Sequence, residues 1–100
     1  MELDSFYFNN TPDFITVDGI EYSYAYDAQD ERFWVADAND QMMAVGQNYT
    51  CFESWDVLYR DGDDESTTTL PHDITINPVD DHPETVREAV EWVIGALLHQ

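Results

Sequence analysis

Carboxylates dominate the chemistry this chain has to offer. Its 100 residues hold 22 Asp and Glu against 3 Lys and Arg, a formal charge of −19. The bases are Arg32, Arg60 and Arg87, and lysine is absent. Other reactive groups are few: one thiol, Cys51, and the imidazoles of His72, His82 and His99. No nucleophile motif surrounds Cys51, and a lone cysteine amid apolar neighbours reads as a small core residue. The histidines fall in a loop, at a helix start and at the C-terminus, and read as surface groups. Paired carboxylates occur throughout, so no pair is singled out for acid–base work. No enzymatic role is expected.

Asp61, Asp63, Asp64 and Glu65 are hard oxygen ligands in one short stretch, of the type that suits calcium or magnesium. An EF-hand loop needs Asp at its first position and Gly at its sixth, and none of Gly19, Gly46, Gly62 or Gly95 has Asp at that offset. His82 beside Asp80 and Asp81 lacks the further ligands that zinc requires. A Gly-rich phosphate loop is also missing, so neither a metal nor a cofactor is expected. Tyr22, Tyr24 and Tyr26 have the look of a base-stacking platform, but such platforms work beside basic grooves, and this chain has none. They read as core. The sequons at Asn9 and Asn48 carry no weight without a secretory signal.

What remains is the acidic surface itself. Three groups stand out: Glu84, Glu88 and Glu91 on a helix, Asp61, Asp63, Asp64 and Glu65 in a loop, and Asp27, Asp30 and Glu31 in a turn. Carboxylates four residues apart on a helix are about 6 Å apart along its axis, and those two apart on a strand about 6.7 Å. Both spacings are on the scale of a phosphate ladder. A compact domain of this length is roughly 33 Å across. Duplex DNA of that length carries roughly 19 charges. Solubility alone asks for a net charge of only about 2–8 on a small domain, and the excess costs stability through self-repulsion.

The expected function is therefore an inhibitor whose carboxylates imitate phosphates in the Lys/Arg-lined groove of a nuclease, restriction enzyme, CRISPR effector or DNA-binding regulator. The partner would be a basic nucleic-acid-binding protein. Direct binding to nucleic acid or to an anionic membrane is not expected, because both need positive charge. In size, charge and compactness the chain resembles the small acidic inhibitors encoded by phages and mobile elements, though no motif ties it to a family. Two other readings compete. An ordinary cytosolic domain of a halophile would carry such charge as salt adaptation, which zero lysine and 14 Asp over 8 Glu fit. An antitoxin-like or adaptor module would neutralise one basic protein.

These residues need elements to hold them. The acids are spread evenly, 5, 5, 7 and 5 in successive quarters, so the charge is woven through folding segments. With 43% hydrophobic residues and 14% aromatics, a packed core is expected over one compact domain, residues 1–100. No apolar run approaches the ~20 residues of a membrane span. A single cysteine and the lack of a signal peptide suggest the reducing cytoplasm.

The clearest local signal is Asp18-Gly19 between alternating apolar residues, a two-residue hairpin loop pairing Val17 with Ile20. It places Ile15, Val17, Ile20, Tyr22, Tyr24 and Tyr26 on one face. Phe6, Tyr7 and Phe8 suggest a short strand or docking segment. Residues 32–36 read as a third strand and 42–45 as a fourth. Residues 49–60 read as a short helix, 61–72 as an exposed acidic loop and 73–77 as a short edge strand. Val86, Ala89, Val90, Val93 and Leu97 form one stripe of a C-terminal helix over 82–98, capped by Asp81 with Pro83 in its first turn. The fold class is α+β: an antiparallel sheet of three to five strands with that helix packed on one face. A monomer is expected, or a homodimer paired through an edge strand.

Overall fold

The computed structural model describes residues 2–6, 11–48, 55–71, 73, 74, 76 and 84–98. Six strands form one antiparallel sheet in the order of the chain. They are β1 (Asp13–Val17), β2 (Ile20–Asp27), β3 (Arg32–Asp37), β4 (Met42–Asn48), β5 (Trp55–Asp61) and β6 (Asp64–Thr69). A 3₁₀ turn, Glu2–Ser5, precedes them. Helix α1 (Glu84–Val93) follows and runs into a π-helical turn, Ile94–Leu98. The class is α+β, as expected.

The first hairpin has the expected register, Val17 opposite Ile20 and Ile15 opposite Tyr22. Asp18 and Gly19 have φ of 53° and 80°, the double positive φ of a type I′ loop. Of the six residues assigned to one face, Ile15, Tyr22 and Tyr24 are buried, and Val17 and Tyr26 pack against them. Ile20, at the hairpin tip, is 47% exposed.

Several expectations are corrected. The sheet has six strands rather than three to five. The fourth strand runs on to Asn48. Residues 55–61 are strand β5, not helix, whereas 49–54, with Cys51, lie outside the described residues. The stretch read as a loop is a second tight hairpin, with Asp61 opposite Asp64 across Gly62-Asp63. Gly62 has φ of 62° and Asp63 does not share a positive φ, the type II′ pattern. Asp73, Ile74 and Ile76 are not in a strand. The proposed cap, Asp81 and Pro83, lies outside the described residues, as do Tyr7 and Phe8.

Helix α1 covers one face of the sheet. Val86, Ala89, Val90, Val93 and Ile94 pack onto Ile15, Tyr22, Tyr24, Phe33, Val35, Ala44, Trp55 and Val57. Each large side chain buried here contributes about 1.5–3 kcal/mol relative to exposure. The expected stripe holds through Val93, and the wider π turn then directs Leu97 and Leu98 together toward the same core. Gly46 lies opposite Phe33 in the ladder. The Phe33 ring fills the space where a Cβ on residue 46 would stand.

The second face has its own smaller cluster. Leu3 and Phe6 pack over Ala25, Trp34, Ala36, Met42, Val45 and Leu58, so Phe6, the described residue of the N-terminal aromatic segment, docks there. The Leu3 N–H donates to both carboxylate oxygens of Glu65, at 3.0 and 3.4 Å. A bulge between Val35 and Ala36 brings Met42 opposite Ala36, and the Met42 carbonyl accepts from Arg60 Nε and Nη2 at 3.2 and 2.9 Å. Arg32 lies over the Phe6 ring, 5.2 Å from its centre.

Candidate functional site

Strand order decides where the carboxylates go. In a sheet whose neighbours are consecutive and antiparallel, every second turn lies at the same end. The β1–β2, β3–β4 and β5–β6 turns therefore share one end, and the β2–β3 turn lies at the other. At a strand spacing of about 4.8 Å, successive tips at the shared end stand roughly 10 Å apart.

That end gathers Asp18, Asp40, Asp61, Asp63 and Asp64, all exposed. Asp37 joins them half-buried, its Oδ1 accepting the N–H groups of Asn39 and Gln41, both at 2.9 Å. Asp61 Oδ2 accepts from the Ser66 hydroxyl at 3.4 Å. Of the loop group, Asp61, Asp63 and Asp64 thus belong to one acidic rim. Glu65 faces the second sheet surface instead and is engaged by Leu3. Asp18, Asp37 and Asp40 were missed. Their signal was the parity of a meander over β1 to β4; that Asp61, Asp63 and Asp64 join them was hidden because the β5–β6 hairpin reads as helix and loop.

The turn group sits at the opposite end. Asp27 Oδ1 accepts the N–H groups of Gln29 and Asp30 at 3.0 and 3.3 Å. Glu31, at φ 47°, accepts at Oε2 from Asn48 Nδ2 and at its carbonyl from the Asn48 N–H, each at 3.0 Å. Asp30 is exposed beside them. The helix row is a third group: Glu84, Glu88 and Glu91 are all exposed, on the side of α1 away from the sheet. Arg87 pairs there with Glu91 at 3.4 Å, both about half exposed. The structure thus keeps the three groups apart, at two ends of the sheet and on the helix.

Most of these contacts orient a carboxylate without cancelling its charge, because the donors are neutral N–H or O–H groups. Two of the three arginines make contacts on the second sheet face, Arg60 to the Met42 carbonyl and Arg32 over the Phe6 ring. The field reaches the phenols. Burial pushes the Tyr22 hydroxyl above its ordinary pKa and the Asp37 charge adds to it. Tyr26 rises through burial, then through Glu31 and Asp27.

Among the described residues no group of three or more His, Cys, Asp or Glu could hold a metal ion, and no helix is long and apolar enough to cross a membrane. An open groove of about 410 Å³ on the second face is lined by Phe6, Gln47, Asp56, Leu58 and Thr67 to Thr69. Among the described lining residues it holds one carboxylate, Asp56; Cys51, His72, His82 and His99 lie outside the described residues. No protein-family model, curated protein or solved structure matches the chain.

Proposed function

We propose that the protein is an acidic inhibitor that occupies the nucleic-acid groove of a basic, DNA- or RNA-handling protein. One observation carries the reading. Net charge −19 is held on a body 32 × 26 × 24 Å, and duplex DNA of the same 32 Å length carries roughly 19 charges. Carboxylates at both ends of the sheet and along α1 give a partner groove charge over its length. Asp27 and Asp37 are held by backbone N–H groups, which lowers the entropy those two lose on binding. The rim Asp18, Asp40, Asp61, Asp63 and Asp64 and the row Glu84, Glu88 and Glu91 stand for phosphates, with Asp27, Asp30 and Glu31 at the far end.

A panel of purified nucleases, restriction enzymes, CRISPR effectors and DNA-binding regulators, each holding a fluorescent duplex, tests this. The protein displaces duplex from a member of the panel, with an affinity that falls steeply with salt. Asp61→Asn/Asp63→Asn/Asp64→Asn and Glu84→Gln/Glu88→Gln/Glu91→Gln each weaken displacement while the fold is kept. If no member is bound even at low ionic strength, the reading fails.

Salt adaptation is the second reading, supported by the spread of acids over both ends and the helix rather than one patch. A fold that needs molar salt would carry it.

A further inference from the structure

The two strongly exposed large apolar residues among those described, Phe14 at 64% and Ile20 at 47%, both belong to the β1–β2 hairpin, and β1 is an edge of the sheet. In a hairpin with a two-residue loop, the residues flanking the loop exchange hydrogen bonds and every second pair does likewise. Val17–Ile20, Ile15–Tyr22 and Asp13–Tyr24 are those pairs. Phe14 and Thr16, which lie between them, therefore turn their N–H and C=O groups away from β2. Neither finds a backbone partner among the described residues. Natural sheets blunt such edges with lysine, proline or a bulge. Between Asp13 and Val17 there is none. Exposed carboxylates ring the strand instead: Asp13 and Asp18 at its ends and Glu21 opposite Thr16.

We propose that β1 is a docking edge for an extended segment of the basic partner, which adds as a seventh strand. Its backbone pairs with Phe14 and Thr16, an aliphatic side chain packs on Phe14, and Lys or Arg side chains meet Asp13, Asp18 and Glu21. This rests on the reading that the partner is a basic protein. Charge selects that occupant over a second copy. Two β1 strands paired antiparallel about Ile15 would set Asp13 of one beside Val17 and Asp18 of the other, between bodies of −19 each.

The probe is a peptide of alternating valine and lysine, about eight residues long, a common strand length. A lysine–proline peptide of equal charge, which cannot join a ladder, is the control. The valine–lysine peptide shifts the amide resonances of residues 14 and 16 and binds at least tenfold more tightly than the control. Thr16→Pro removes one outward N–H at a position where an edge tolerates proline, and lowers the affinity at least tenfold with circular dichroism unchanged. Phe14→Ser, at an exposed site, lowers it in the same direction. Equal binding of both peptides, or of Thr16→Pro and wild type, overturns the proposal. So does a dimer that Thr16→Pro converts to monomer, since the edge would then pair with itself. Duplex displacement that Thr16→Pro leaves intact sinks this proposal alone, and peptide pairing without any displacement sinks the mimic alone.

Discussion

Gly46 shows how narrow the tolerances are inside this sheet. Its φ is ordinary, and its role is purely one of space, because the Phe33 ring occupies the volume of the missing side chain. Phe33 is fully buried and has no free direction in which to move. Gly46→Ala should therefore destabilise the protein by about 1–3 kcal/mol or more through overpacking, read as a lower urea midpoint at unchanged slope. Tyr22 and Tyr26 make a second case. Both phenols have pKa values raised above 10.0 in the folded state, so the unfolded chain gives up these protons first. Their contribution is complete below pH 10 and is lost as pH rises through the folded values. Urea midpoints taken from pH 8 to 11.5 should fall above about pH 10, and Tyr26→Phe should flatten that fall.

Among the elements, the 3₁₀ turn Glu2–Ser5 shows how much a short segment contributes. Leu3 is fully buried on the second sheet face, and its N–H is held by Glu65, 62 positions away. Leu3→Ala should cost about 2–3 kcal/mol through cavity formation. Glu65→Gln, which keeps an acceptor but loses its charge, should cost about 1 kcal/mol. Chemical denaturation of the two variants and their double mutant checks both values, and shared ordering of the turn should make the double cost less than additive.

The same scale explains what the sequence made legible. Asp18-Gly19 carried turn chemistry and apolar alternation in agreement, and the C-terminal helix showed a five-residue apolar stripe from Val86 to Leu97, so both were readable. Strand β6, Asp-Glu-Ser-Thr-Thr-Thr, has no apolar residue at all. As an edge strand it needs only β-prone threonines, and hydrophobic periodicity cannot see it. Gly62-Asp63 is a legible hairpin loop, but Cys51, Trp55 and Leu58 also match helical spacing, and a helix over 49–60 leaves 61–72 to read as an acidic loop. That one misreading hid the acidic rim. The candidate carboxylates were visible as residue types, and their separation into two ends and a helix row was not.

At the scale of the whole molecule, charge opposes compactness. Net −19 works against a core that includes Phe33, Trp34 and Trp55. Screening relieves the repulsion, so the melting temperature should rise with KCl between about 0.05 and 1 M and then level off as the Debye length falls to about 3 Å. Circular dichroism melts follow this directly. A cooperative transition at the lowest salt fits a surface kept acidic for a partner. Loss of the fold below about 1 M marks the charge as salt adaptation.

The strand order has a consequence for how the chain reaches this state. Each strand pairs only with its sequence neighbours, so every ladder closes over a short loop at small entropic cost. Such local pairing favours rapid folding, and it lets the hairpins form while distant carboxylates are still far apart. The long closures come from the two termini: α1 laid across one face and Leu3 reaching Glu65 on the other. A polyanion whose sheet assembles from local steps faces much of its own repulsion only when those two ends dock.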